Sequence, residues 1–245
     1  MARTGYFDQP LPRIFAHRGL SQHAEIDENS IEAFQAAIAH GATHIESDVH
    51  ATKDNVAVLF HDSSLLRVAG IKAKISQLEL RELREIKLNY GSRIPTLAEG
   101  LELGVNLNLD IKSARAISPT VEQIERFSAH DRVLVSSFSA SRRAQALQQL
   151  TAPVATSASM RQVLLGYLSH RLGGIGFSRL VKDLDAFQIP PSRGPIKFAT
   201  EEFIARAKAS GVEVHFWTIN DPLEMKRLID LGADGIVSDR VDLFS

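Results

Sequence analysis

The chain contains no cysteine. That excludes disulfides, thiolate metal sites and a cysteine nucleophile, and it is compatible with a reducing compartment. Long hydrophobic runs are missing as well. No segment approaches the ~20 consecutive apolar residues of a membrane span, and the opening MARTGYFDQPLPRIF lacks the apolar stretch of a signal peptide. Charge of one sign is not in excess: 28 Lys and Arg stand against 29 Asp and Glu. The overall balance therefore gives no reason to expect nucleic acid as a partner, or stable insertion into a membrane. No GxGxxG fingerprint or Walker-type loop marks a nucleotide site. The expectation is a soluble, cytoplasmic protein acting on a small molecule.

What is present is ordinary in amount and patterned in order. The 245 residues are 44% hydrophobic and 23% charged, enough for one large α/β domain or two smaller ones. THIESDVH (43–50) alternates Ile45, Ser47 and Val49 with Glu46, Asp48 and His50, the two-residue period of a strand. Glu46 and Asp48 then share a face, roughly 7 Å apart along the chain. Buried carboxylates repel each other and lose hydration, so a cation is the usual companion, and oxygen donors suit a hard ion such as Mg²⁺ or Ca²⁺. VNLNLDIK (105–112) alternates in the same way, with Asn106, Asn108, Asp110 and Lys112 on its polar face.

Further strand patterns fall at RIFAH (13–17), RVLVSSF (132–138), PVATSAS (153–159), AFQI (186–189), GVEVHFWTIN (211–220) and GADGIVSD (232–239). VAVLFHD (56–62) follows the opening strand closely. Helical patterns lie between them: one capped by Asn29 or Ser30, one opening at Pro95-Thr96, and others over 139–150, 160–172, 200–210 and 222–231. About eight strand–helix alternations predict a single α/β domain over 1–245, a (β/α)8 TIM barrel. Residues 63–94 break the rhythm and are expected to be a small insertion between the second strand and its following helix.

In such a barrel, chemistry gathers at the C-terminal ends of the strands. Those positions hold His17 and Arg18, Glu46 and Asp48, His61, Asp110 and Lys112, Ser136 and Ser137, Trp217 and Asn220, and Asp239. Carboxylates can hold a divalent ion, Arg18 and Lys112 can bind phosphate, and two histidines suit proton transfer near neutral pH. Together they point to metal-assisted phosphoryl chemistry. The serines lack a nucleophile-elbow context and read as structural. Asp239 reads as an anchor for the last loop, and His44, His50 and His215 have no convergent partners.

AHRG, DENSIEAF, GATHIESDVHATKDNVAVLFHD, PTLAEGL, NLNLDIK, VHFWTIN and GADGIVSD, taken in that order, resemble the glycerophosphodiester phosphodiesterase family from about residue 14 to residue 239. That family is similar in fold to phosphatidylinositol-specific phospholipase C. The resemblance implies hydrolysis of deacylated phospholipids, such as glycerophosphocholine or glycerophosphoethanolamine, to glycerol 3-phosphate and an alcohol. It implies His17 and His61 as the acid/base pair, and Glu46, Asp48 and Asp110 as ligands of one divalent cation. It further implies Arg18 and Lys112 on the phosphate, and Trp217 against the glycerol. Asp110 stands where the family usually has glutamate, Asp27 where it has proline, and Asn55 where it has glycine. The alternatives are a lysophospholipase D or another phosphodiesterase or lyase on the same barrel, and a non-catalytic phosphate-binding barrel.

Overall fold

Eight parallel strands follow one another around a ring because nearly every strand is succeeded by helical chain returning over the outside. The computed structural model describes residues 4–21 and 25–244. Residues 1–3 of the irregular lead-in and 22–24 of the polar loop after the first strand lie outside the described residues. In chain order the elements are β1 (Arg13–His17), α1 (Ile31–Ala39), β2 (His44–Ala51), β3 (Ala57–Leu59), α2 (Leu66–Ala69), α3 (Leu80–Arg84), α4 (Leu97–Glu102) and β4 (Asn106–Ile111). Then come α5 (Ile117–Arg126), β5 (Val133–Ser136), α6 (Ala140–Gln149), β6 (Ala155–Thr156), α7 (Met160–Arg171), α8 (Phe177–Val181) and β7 (Ala186–Ile189). The last are β8 (Ser192–Arg193), β9 (Ile196–Lys197), α9 (Glu201–Ala209), β10 (Glu213–Phe216), α10 (Pro222–Asp230) and β11 (Gly235–Ser238).

The barrel strands pair in the order β6-β5-β4-β2-β1-β11-β10-β7, all parallel. A parallel bridge between Ser157 and Ala186 brings the two outer strands together. The fold is thus a nearly closed (β/α)8 barrel. Short β3 is not a barrel stave; it pairs antiparallel with β2. Helix starts follow local chemistry. The hydroxyls of Ser30, Thr96, Ser139 and Thr200 accept backbone N–H groups of the first turn, and Asp221 does the same ahead of Pro222.

Alternation along the strands separates two environments. Leu107, Leu109 and Ile111 are fully buried in the core that β4 shares with the helices, each worth about 1.5–3 kcal/mol of burial. The opposite faces line the barrel interior in layers. At the bottom, Arg13 donates twice to Glu213, at 2.7 and 2.8 Å, and His215 Nε2 donates to the same carboxylate at 2.9 Å. The lead-in contributes a turn at Gly5–Phe7 that plugs this end, its carbonyls accepting from Arg13 and Asn106. Above it, the Phe15 ring lies 4.6 Å from His44 and 4.7 Å from His215. A side chain at Gly235 would meet Phe15 at 2.9 Å, so glycine is what lets this aromatic layer close. His44 and His215 are therefore parts of the barrel interior.

Residues 52–96, between β2 and α4, carry β3, α2 and α3 around a small core of their own that includes Val58, Phe60, Leu65, Val68, Leu83 and Ile94. The Asp27 carboxylate fastens this excursion by accepting the N–H groups of Tyr90 and Ser92 at 3.0–3.1 Å.

Candidate active site

Register brings the carboxylates together. Asp48 of β2 stands beside Asp110 of β4, and His17 of β1 beside Glu46 of β2. Lys112, just past β4, bridges the first pair: its ammonium lies 2.5 Å from Asp48 Oδ1 and 2.7 Å from Asp110 Oδ2. The other oxygens are less well served. Asp48 Oδ2, Asp110 Oδ1 and Glu46 Oε2 are all buried and accept no hydrogen bond among the described residues. Arg18 Nε, at 3.6 Å from Asp48 Oδ2, supplies charge without a bond.

The electrostatic consequence is visible at each group. Burial raises the Glu46 carboxyl and the neighbouring Asp48 charge raises it further, to about 8. Burial also raises Asp110, against the opposing pull of Lys112. Burial alone would depress Lys112, but Asp48 and Asp110 more than offset it and hold the ammonium above its ordinary value. Among the described residues no three histidine or acidic side chains close into a ready-made metal cluster. The three oxygens without a hydrogen bond are nevertheless hard donors of the kind that suits Mg²⁺ or Ca²⁺. They fit such an ion better than they fit a dry, empty site, since an unpaired buried carboxylate is costly.

Both histidines are oriented in the same way. The His17 Nδ1–H donates to Asp239 Oδ1 at 2.6 Å, leaving Nε2 at 3.9 Å from Glu46. Asp239 is itself held by Asn220, whose amide donates to Oδ2 at 2.8 Å and whose carbonyl accepts the Asp239 backbone N–H. The His61 Nδ1–H donates to Asp62 Oδ1 at 2.7 Å. His61 reaches the site because the N–H of Phe60 is bonded to the Asp48 carbonyl at 2.9 Å, and His50 Nε2 donates to the His61 carbonyl. Burial would lower the His17 pKa, but the bond to Asp239 and the Glu46 charge hold it above the ordinary value. Two imidazoles thus present Nε2 to one cleft, each with its tautomer fixed by a carboxylate.

A chain of ion pairs joins the two sides. Arg18 donates to Glu28 at 3.2 Å, Arg67 donates to both Glu28 oxygens at 2.6 and 2.9 Å, and Arg67 Nε donates to Asp62 at 2.7 Å. Arg18 adopts φ +60° and Gly19 φ +81°; a Cβ at Gly19 would lie 2.7 Å from the Ala33 backbone. Glycine is therefore what lets the loop after β1 pass so close to α1.

These groups open into a cleft of about 770 Å³ with two unlike halves. One is polar and holds His17, Arg18, Glu46, Asp48, His61, Asp110 and Lys112. The other is mostly apolar, walled by Phe138, Met160, Val163, Leu164, Ile196 and Phe198, with Arg193 among them donating to Met160 Sδ at 3.1 Å. Trp217 lines the same cleft, edge-on to Phe138 at 6.5 Å between centroids. Ser136 and Ser137 donate to the carbonyls of Leu109 and Ile111, the structural role their sequence context suggests. Asp239 is more than a loop anchor: it is the partner of His17. Asp62, Glu28 and Arg67 went unsingled in the sequence, although the pairing of His61 with Asp62 in HD was a visible signal for the first.

The chain is similar to known proteins over nearly all its length. The glycerophosphoryl diester phosphodiesterase family model matches residues 17–243. The probable glycerophosphodiester phosphodiesterase 2 of Mycobacterium tuberculosis is 40% identical over 231 residues, covering 93% of this chain and 87% of that protein. Among solved structures, an Oleispira antarctica phosphodiesterase in complex with the product sn-glycerol-3-phosphate is 25% identical with a TM-score of 0.78, covering 98% of this chain and 97% of that one. The glycerophosphodiester phosphodiesterase of Thermotoga maritima is 28% identical with a TM-score of 0.74, covering 96% and 98%.

Proposed function

The chain belongs to the glycerophosphoryl diester phosphodiesterase family, and from that premise we propose that it hydrolyses glycerophosphodiesters to glycerol 3-phosphate and an alcohol by two-histidine acid/base catalysis. The observation that carries this reading is the pair of carboxylate-held imidazoles, His17 with Asp239 and His61 with Asp62, in one cleft with Arg18 and Lys112. Such a pair suits a displacement that takes a proton on one side of phosphorus and returns one on the other.

In this reading the phosphodiester lies in the polar half of the cleft. Lys112 uses two of its three N–H donors on Asp48 and Asp110 and keeps the third for a phosphoryl oxygen. Arg18 offsets charge on the same group. Glu46, Asp48 and Asp110 would hold a divalent cation, Mg²⁺ or Ca²⁺, supplying Lewis-acid polarisation of a phosphate oxygen and of the free glycerol 2-hydroxyl. One imidazole takes the proton of that hydroxyl as its oxygen attacks phosphorus, and the other gives a proton to the departing alcohol. The resulting cyclic phosphate is opened by water with the two histidine roles exchanged, which restores both protonation states. Trp217 offers an apolar edge to the glycerol carbons.

His17→Ala and His61→Ala should each lower kcat by roughly 10²-fold or more while leaving the fold intact, as read by circular dichroism. Near-normal turnover in either variant removes that histidine from the mechanism. The apolar half of the cleft favours a second reading, in which the substrate keeps one acyl chain and the activity is that of a lysophospholipase D. Comparing kcat/KM on glycerophosphocholine and on lysophosphatidylcholine distinguishes the two.

A further inference from the structure

The sequence between residues 132 and 182 contains no aspartate or glutamate, yet it carries Arg132, Arg142, Arg143, Arg161, Arg171, Arg179 and Lys182. In a chain with near-balanced charge this is a marked local asymmetry. Its last part, α7 with the loop and short helix that follow, is also apolar on the wrong side. The inner face of α7 packs Val163 and Gly166 into the barrel core, as expected. The outer face repeats leucine at 164, 168 and 172, the i, i+4, i+8 spacing of one helical stripe. Leu168 is 56% exposed, Leu172 68% and Ile175 81%. A helix on a barrel's outside ordinarily turns its apolar stripe inward and its polar residues to solvent; α7 buries Val163 on one side and leaves this leucine stripe exposed on another.

We propose that the outer face of α7 and the loop to α8 is a docking surface for an anionic phospholipid bilayer, on which the protein rests without inserting. Three observations favour this occupant. A stripe of exposed Leu and Ile flanked by cations and free of carboxylates is the composition that lies in a lipid interface. Beside α7 a second groove of about 510 Å³ gathers Arg171, Lys197 and Arg206 around Tyr167, with Glu202 its one carboxylate among the described residues; these cations match lipid phosphates. The stripe is also continuous with the catalytic cleft, because Leu164 both lines that cleft and is 44% exposed. Docking by this face therefore sets the apolar half of the cleft at the lipid surface. The docking surface goes beyond the catalytic reading and stands or falls apart from it.

The test is flotation of the full chain with vesicles of phosphatidylcholine alone and of an equal mixture with phosphatidylglycerol. The protein should float with the mixed vesicles, much less with the neutral ones, and less as salt rises. Leu168→Glu with Leu172→Glu should reduce partitioning by about tenfold or more, while hydrolysis of soluble glycerophosphocholine stays near that of the parent. Arg171→Glu with Arg179→Glu, which leaves the apolar stripe alone, should also weaken binding to the anionic vesicles. Parent protein that ignores mixed vesicles, or variants that float as it does, would overturn the proposal. So would a concentration-dependent dimer, seen by sedimentation equilibrium and lost in the leucine variants, in a protein that does not float. Absence of glycerophosphocholine hydrolysis by the parent would instead strike the catalytic reading and leave the flotation result standing.

Discussion

At the residue scale the site depends on what holds each imidazole. Asp239 and Asp62 commit Nδ1 of His17 and His61, so Nε2 is the nitrogen these bonds do not take. Asp239→Asn and Asp62→Asn keep the shape of the side chain but remove the charge and permit the wrong tautomer. Each should lower kcat by between about 10² and 10⁴ with little change in KM. Steady-state kinetics on glycerophosphocholine checks this, and a rise in KM at constant kcat would make these carboxylates mere contributors to substrate binding. The strand-end residues were legible in the sequence because period-two alternation tells which side chains share a face. The pairing of Asp239 with His17 was not, since the two lie 222 residues apart and only ring closure brings β11 beside β1. The Lys112 bridge was hidden for a similar reason: it depends on Asp48 standing in register with Asp110, which requires β4, and not β3, to be the parallel neighbour of β2.

At the scale of elements, the excursion over 52–96 delivers His61, with its partner Asp62, to a cleft otherwise lined by strand ends, α7 and the β8–β9 segment. Its attachment rests on Asp27, only 4% exposed, whose carboxylate serves the Tyr90 and Ser92 N–H groups. Asp27→Ala leaves those donors without their acceptor and should cost about 1–3 kcal/mol. Hydrogen exchange should show faster exchange in 63–94 than in the barrel strands; uniform exchange would mean the excursion is held mainly by its own apolar core. The sequence marked where this segment interrupts the rhythm, because strand–helix alternation stops there. It did not disclose the role of Asp27, whose partners lie 63 and 65 residues on. Nor did it make β3 distinct from a stave, since a short apolar run reads alike in parallel and antiparallel pairing.

For the whole molecule, the barrel is closed below by ionic and aromatic layers and open above to the cleft. Burial works against the Glu213 charge, but the bonds from Arg13 and His215 more than offset it and hold its pKa near about 2. A carboxylate depressed from the ordinary 4.5 contributes fully above that pH, and the contribution is lost as pH falls toward about 2. Glu213→Gln leaves Arg13 buried without its counter-charge and should cost about 3–5 kcal/mol at neutral pH. In denaturant titrations the gap between parent and variant should narrow as pH is lowered from 4.5 toward 2; a gap independent of pH would deny the ion pair its role. The barrel class was readable from about eight strand–helix alternations, although which strand patterns were staves was not. The lower plug was not, because Arg13, Glu213 and the Gly5–Phe7 turn meet only once the ring is closed.

The central claim is that this barrel uses its two histidines with a divalent cation held by Glu46, Asp48 and Asp110 to cleave a phosphodiester. The direct measurement is glycerophosphocholine hydrolysis after exhaustive treatment with EDTA, with bound metal followed by elemental analysis, and then with Mg²⁺ or Ca²⁺ restored. The account predicts loss of activity with loss of metal, recovery on addition of one of these ions, and no recovery in Glu46→Gln. Full activity in protein shown to be free of metal would contradict it.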